Sequence, residues 1–273
     1  MSWSISPRKV AFAACLLCVG LFLSARNSPA FEWKEIKGKH FVIYYADEIS
    51  FSWARQVARE AEAHYTDIAR KLGYTKYSDY WTWDQRVNIY IYPDQQSFLE
   101  QTGLPDWSSG MASRDRHTMA GRIIASYKQE DLFIDGVLPH EITHLILKDY
   151  IGVNAPLWFE EGVAQLQEES KLQKALEIMP KLARQGEYFP LKHLLNYDIR
   201  IETDRRVVAV FYMQSICLLD FLIKRYGSHK FAQLCATMKD GKGFSEALLD
   251  VYYPEFSSLE DLEKKWLSYM QLY

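Results

Sequence analysis

The sequence of 273 residues has few features that point away from an ordinary globular protein. It has no internal repeat and no low-complexity tract, and at 48% hydrophobic and 25% charged residues it is not disordered, collagen-like or a coiled coil. Neither sign of charge is in clear excess, because 32 basic residues stand against 35 acidic ones. Without a global positive field, we expect no nucleic-acid partner. The length is sufficient for one large domain or two small ones.

The chain also lacks a hydrophobic run long enough to cross a bilayer comfortably at its N-terminus. Residues 10–23 are apolar and uncharged, follow the basic pair Arg8-Lys9, and precede small residues that end at Ala30. This pattern predicts that residues 1–30 are a signal peptide, cleaved after Ala30, and that the protein is exported to the periplasm or the extracellular space. The alternative is an uncleaved anchor, and only then would the protein contact a membrane. The chain from Phe31 onward would carry a net charge of −6.

Cysteine is scarce once the leader is set aside. Cys217 and Cys235 remain, and export permits a disulfide between them. Both lie in apolar, helical-looking stretches, so two buried thiols fit the pattern at least as well.

The remaining chain changes from strand-rich to helical near its middle. β-Branched and aromatic runs predict strands at 41–45, 87–92 and 122–127, with a helix at 50–72. Helical spacing then predicts helices at 139–148, 156–182, 207–225, 230–238 and 259–269. The order indicates an α+β fold, with a small mixed β-sheet lobe over residues 31–150 followed by an α-helical lobe over residues 151–273. Because no Pro/Gly/Ser linker divides the lobes, we expect 31–273 to be a single domain.

The chemistry-bearing motif is His140-Glu141-Ile142-Thr143-His144. On a helix, residues four apart share a face, so the imidazoles of His140 and His144 can bind one metal ion with Glu141 beside it. Zinc fits two imidazoles best, and a catalytic zinc site needs a third protein ligand and an open position for water.

A carboxylate on the next predicted helix can supply the third ligand. This helix is predicted to begin near Asn154 as its cap, and it carries both Glu160 and Glu161. Helical phase places Glu161 on the more apolar face and so favours it, while Glu160 stays open as the alternative. Gly162 would let this helix and the histidine helix approach closely.

The motif followed by Glu161-Gly162-Val163-Ala164, with Trp158 before it, resembles the gluzincin group of zinc metallopeptidases, especially bacterial peptidase MA-like domains. The likeness extends to the helical residues 211–227 and 259–266. It implies a zincin-like fold with the metal site between the two lobes. It also implies one Zn²⁺ ion with His140, His144 and Glu161 as its ligands. Glu141 would be the catalytic carboxylate.

The resemblance further implies a hydrolytic mechanism and a peptide or protein substrate. Glu141 would accept a proton from the attacking water and pass it to the leaving amine. A side chain of the helical lobe would stabilise the oxyanion, and Tyr212 is the predicted residue, although its spacing equally fits a buried core tyrosine. His117 is an alternative donor. The segment 109–112 could bind an extended substrate as a sheet edge, or be an ordinary loop.

One position departs from the gluzincin pattern. Many members have an acidic residue four positions after the third ligand, which holds a ligand imidazole, whereas this chain has Gln165 there. Glu168 and Glu169 are nearby alternatives, and an exposed acidic pair explains them equally well.

Two other functions remain open for this sequence. The same metal and base could form a zinc amidase that acts on cell-wall peptides. The fold could also be a non-catalytic module that binds an envelope partner, although Glu141 beside the histidines argues against a pure binding role.

Overall fold

The structure, a computed structural model, describes residues 31–74, 81, 85–106, 108–114, 121–129 and 132–272. The predicted leader and His117 lie outside the described residues.

A five-stranded mixed sheet forms the first lobe. Its strands are β1 (Lys34–Lys37), β2 (Phe41–Tyr45), β3 (Val87–Tyr92), β4 (Gly110–Arg114) and β5 (Arg122–Tyr127), in the order β1-β2-β3-β5-β4. The three central strands are parallel, and they are the three that the sequence predicts. The edge strands β1 and β4 pair antiparallel to their neighbours. β1 was not predicted, because a short charged run gives little strand signal, whereas the segment 109–112 had been left open between a sheet edge and a loop.

Side chains point alternately to the two faces of the sheet, and one face packs into the core. In β3, Val87, Ile89 and Ile91 are buried, whereas the intervening side chains are half-buried. Helix α1 (Phe51–Leu72) packs on the sheet, with Ser50 capping its first turn and Gly73 ending it in the left-handed conformation. Helix α2 (Gln95–Thr102) buries Phe98 in a smaller apolar cluster with Met111 and Ala125.

The rest of the chain is helical, which confirms the predicted α+β class. The helices are α3 (Leu138–Tyr150), α4 (Leu157–Gln165), α5 (Glu169–Arg184), α6 (Leu191–Leu194), α7 (Arg205–Tyr226), α8 (Ser228–Lys239), α9 (Phe244–Tyr252) and α10 (Leu259–Met270). One apolar core extends from Phe41 in the sheet to Met270 in the last helix.

Two details of the predicted helices are wrong. The helix predicted at 156–182 is two helices, because the chain turns at residues 166–168 between α4 and α5. Asn154 does not cap α4, since Pro156 occupies the cap position. Asn154 instead lies in a short 3-10 turn, and its side-chain amide donates to the carbonyl of Met238 at 3.1 Å.

Helix α7 is the central helix of the second lobe. Among the described helices it is the one long and apolar enough to span a membrane, but most of that stretch is buried against α4 and α5. Cys217 on α7 and Cys235 on α8 are free, buried thiols, and burial raises the pKa of each. The structure therefore has two buried thiols rather than the permitted disulfide.

Gly162 lies where α4 packs tightly against another helix, and this helix is α7 rather than the histidine helix. A Cβ atom added at Gly162 would lie 2.7 Å from Leu219 Cδ1 and 2.9 Å from the carbonyl oxygen of Ser215. Even one methyl group does not fit there without moving a helix. The residue after Glu161 thus fixes how deeply α4 sits against α7.

We predict that Gly162→Ala lowers the free energy of unfolding by about 1–3 kcal/mol, the usual cost of overpacking. Urea denaturation of the metal-free protein measures this change. Gly243→Ala is the matched control, since a Cβ there meets no atom within 4 Å, and it should cost no more than about 1 kcal/mol. Equal stabilities of the two variants would contradict the close packing of α4 on α7.

Candidate active site

Helix α3 presents both motif histidines to the interior. It follows directly from a π-helical turn, Phe133–Val137, and has Pro139 in its first turn, where a missing N–H costs nothing. His140 and His144 are one helical turn apart and almost completely buried. Buried imidazoles need partners, and these two face each other and α4.

Three ligand atoms converge between α3 and α4. The Nε2 atoms of His140 and His144 are 3.2 Å apart, and the carboxylate of Glu161 lies 4.0 Å from the first and 3.9 Å from the second. Two nitrogens bound to one tetrahedral zinc ion lie about 3.3 Å apart, so the imidazoles already have a suitable separation. A small movement of the Glu161 side chain would complete the set. The predicted trio therefore forms one buried cluster.

The electrostatics of this cluster favour a cation. Burial, with the charges of His140 and Lys148, holds the pKa of His144 well below its usual range. Burial also raises the pKa of Glu161 well above its usual range, and the negative charge of Glu141 adds to the effect. Glu161 Oε2 has no hydrogen-bond partner among the described residues. A buried carboxylate without a hydrogen-bond partner on one oxygen is unfavourable unless a metal ion compensates it, so the residues fit such an ion.

Glu168 supplies the second partner of His140. Its Oε1 atom accepts a hydrogen bond of 2.8 Å from His140 Nδ1, and Lys171 Nζ lies 2.6 Å from the same oxygen. Burial alone would raise the pKa of Glu168, but the bond to His140 and the charge of Lys171 lower it to about 2. An ionised Glu168 fixes the proton of His140 on Nδ1 and leaves the Nε2 lone pair for a metal.

The turn between α4 and α5 explains why Glu168, rather than Gln165, contacts the histidine. Gln165 is the last residue of α4 and is buried, while the chain then turns so that Glu168 points back to α3. Glu169 begins α5 and is exposed. The sequence offered Glu168 only as one of two alternatives, because the predicted continuous helix at 156–182 does not contain the turn that orients Glu168.

Glu160 lies outside the cluster although it neighbours Glu161. It is largely buried, and this burial raises the pKa of Glu160 to about 7. The structure thus brings Glu161, the carboxylate favoured by helical phase, to the histidines.

Glu141 lies between the cluster and the edge strand of the sheet. Its side chain is 1% exposed, and its charge is felt by Glu161. A Cβ added at Gly110, the first residue of β4, would lie 3.2 Å from Glu141 Oε1 and 2.5 Å from Val137 Cγ1. Only glycine lets the edge strand come this close to the carboxylate. Most of the segment 109–112 is therefore part of an edge strand beside Glu141, whereas the sequence had allowed either a sheet edge or an ordinary loop.

A sequence model of the Peptidase MA superfamily matches residues 80–271, well over half of the chain. The chain belongs to the Peptidase MA superfamily. The match includes the histidine motif, Glu161, Glu168 and the helical lobe. A comparison with curated proteins found no match. Superfamily membership supports a peptidase-type hydrolase, and the buried trio supports binding of a metal ion.

Tyr212 of this peptidase MA domain lies on α7 and is 2% exposed, with its ring 5.5 Å from that of Phe211. It is one helical turn before Ser215, which contacts α4 at Gly162. This burial is what a core tyrosine requires, so a role in catalysis stays a prediction. His117, the other predicted donor, lies outside the described residues.

We predict that Glu168→Gln weakens zinc binding by about 10–100-fold, as loss of a charged partner of a ligand histidine usually does. Competition with a chromophoric chelator measures the affinity. Glu169→Gln is the matched control: it removes the same charge one residue away, on an exposed side chain, and should leave the affinity within about twofold. Equal affinities of the two variants would contradict a role of Glu168 in holding His140.

Proposed function

We propose that this member of the Peptidase MA superfamily is an exported, zinc-dependent metallopeptidase that hydrolyses peptide bonds. The observation that carries the proposal is the buried His140, His144 and Glu161 cluster with Glu141 next to it and the edge strand β4 alongside. Two imidazoles and one carboxylate are a typical catalytic zinc set, and the three leave a coordination position for water.

A zinc ion held by these three side chains would supply Lewis acidity, which lowers the pKa of a water molecule and polarises the substrate carbonyl. The protein residues perform the remaining tasks. Glu168 keeps His140 in the correct tautomer by accepting a hydrogen bond from its Nδ1–H group. The apolar side chains of α3 exclude bulk water, which strengthens every charge interaction in the site.

Glu141 is proposed as the general base and then the general acid. Its carboxylate accepts a proton from the attacking water and gives it to the amine that leaves. The position of Glu141 beside Gly110 supports this role, because a substrate on the outer side of β4 would have its scissile bond near the carboxylate.

The free edge of β4 is proposed to bind the substrate in an extended conformation. Within the described part of the chain β4 pairs with β5 alone, so its other side would offer main-chain donors and acceptors to a further strand. Main-chain pairing of this kind suits an extended peptide substrate.

Export of the protein is proposed from the leader at residues 1–30. The apolar stretch and the small residues before Phe31 support a cleaved signal peptide, and the mature protein would then act in the periplasm or outside the cell. Peptides or proteins in that compartment would be its substrates.

The test compares the mature chain with Glu141→Gln and Glu161→Gln. We expect Glu141→Gln to bind about one zinc ion per chain, as wild type does, and to lose about 10²–10⁴-fold in kcat on a quenched fluorescent peptide library. Glu161→Gln should lose both the zinc and the activity. Undiminished cleavage by Glu141→Gln would refute the proposed base, and a wild-type chain with zinc but without any cleavage would refute the peptidase.

A second prediction concerns Tyr212. If its hydroxyl stabilises the oxyanion, Tyr212→Phe should lower kcat by about 10²-fold or more, with zinc content and thermal stability unchanged. Steady-state kinetics on the peptide cleaved best by wild type decide the matter. An unaltered kcat would assign Tyr212 to the core alone.

A further inference from the structure

Strand β4 contacts the active-site helix α3 at both of its ends. At its start, Gly110 lies against Glu141. At its end, Arg114 reaches the last turn of α3, where its Nη1 atom lies 2.8 Å from Asp149 Oδ1 and 3.4 Å from the carbonyl oxygen of Lys148. The strand and the helix therefore run side by side in the same direction.

Strand and helix have matching lengths between these contacts. From Gly110 to Arg114 the strand rises roughly 13 Å, at about 3.3 Å for each residue. From Glu141 to Asp149 the helix rises about 12 Å, at 1.5 Å for each residue. Because the lengths agree, the contact of Arg114 with Asp149 sets where Gly110 stands along α3, and hence where it stands relative to Glu141.

Asp149 is the centre of a buried polar cluster at this end. Its side chain is 4% exposed. Its Oδ1 atom forms the ion pair with Arg114, and its Oδ2 atom accepts hydrogen bonds of 2.6 Å from Arg122 Nε on β5 and 2.6 Å from the indole nitrogen of Trp81. The guanidinium of Arg122 also lies over the Trp81 ring, 5.9 Å from its centroid. These contacts favour one arrangement of the side chains around Asp149, because the loss of any of them would leave its buried negative charge less well compensated.

We propose that Arg114 and Asp149 are positioning residues that hold the edge strand β4 at a fixed position along α3, beside Glu141. They thereby determine how tightly an extended peptide binds to β4. The inference rests on the proposed function, because it assumes that β4 pairs with the substrate. Neither residue touches the reacting atoms. Their effect acts through the placement of β4.

Arg114 and Arg122 both contact Asp149, but their strands have different numbers of neighbouring strands. β5 is paired on both sides, with β3 and β4, so its position survives the loss of Arg122. Among the described residues β4 pairs with β5 alone, and the ion pair of Arg114 with Asp149 is what holds its far end, opposite Gly110, to α3. Arg114→Gln and Arg122→Gln therefore form a matched pair. Each removes one charge from the same carboxylate, but only the first frees the edge strand.

The experiment measures kinetics, zinc affinity and amide hydrogen exchange on the full mature protein loaded with zinc, using the peptide cleaved best by wild type. We expect Arg114→Gln to raise KM about tenfold with kcat within about twofold, which is the signature of weakened binding. Its amides at residues 111–113 should exchange faster than in wild type. Arg122→Gln should keep KM and this exchange within about twofold, and zinc affinity should not change in either variant. Arg114→Lys should recover part of the KM loss.

Equal KM values for Arg114→Gln and Arg122→Gln, or an Arg114→Gln loss confined to kcat or to zinc affinity, would overturn the inference. Failure of the proposed function has a different outcome. In that case wild type cleaves no peptide, and the exchange rates at residues 111–113 still decide whether Arg114 restrains β4.

Discussion

The burial of the Glu161 carboxylate beside two imidazoles is the constraint on which the centre of this molecule depends. Removing a carboxylate from water costs on the order of several kcal/mol unless positive charge compensates it. Here the ligand atoms of His140 and His144 face the same point as Glu161, and the negative charges of Glu141 and Glu168 lie close by. A divalent cation at that point would offset the repulsion between these carboxylates and hold the three ligands in one arrangement.

Several features of the fold serve to bring this carboxylate to the histidines. Gly162 allows α4 to sit directly on α7, which places Glu161 on the side that faces α3. The turn after Gln165 then brings Glu168 back to His140. On the other side, Gly110 lets the edge strand approach Glu141, and Asp149 ties the far end of the same strand to α3. Metal site and sheet edge are thus held against one helix from opposite sides.

Much of this arrangement could be predicted from local sequence pattern. The three central strands have strong β-branched and aromatic runs, and the long helices have clear apolar periodicity, so both were found. The spacing of His140 and His144 places them on one helical face by geometry alone, and helical phase favoured Glu161 over Glu160. Such features depend on neighbours in the sequence, which is why one chain is enough to predict them.

The remainder depends on contacts between distant residues, which periodicity does not report. Glu168 pairs with His140 across 28 positions, and Arg114 pairs with Asp149 through the packing of β4 on α3. Strand β4 begins with Gly110, against which Glu141 and Val137 lie, and a glycine weakens the strand signal of the sequence. Anomalous diffraction at the zinc edge from crystals of the mature protein tests directly whether His140, His144 and Glu161 hold one zinc ion. We predict one peak, about 2.0–2.2 Å from His140 Nε2, His144 Nε2 and an oxygen of Glu161. A zinc peak bound elsewhere, or no peak from crystals grown with zinc, would contradict it.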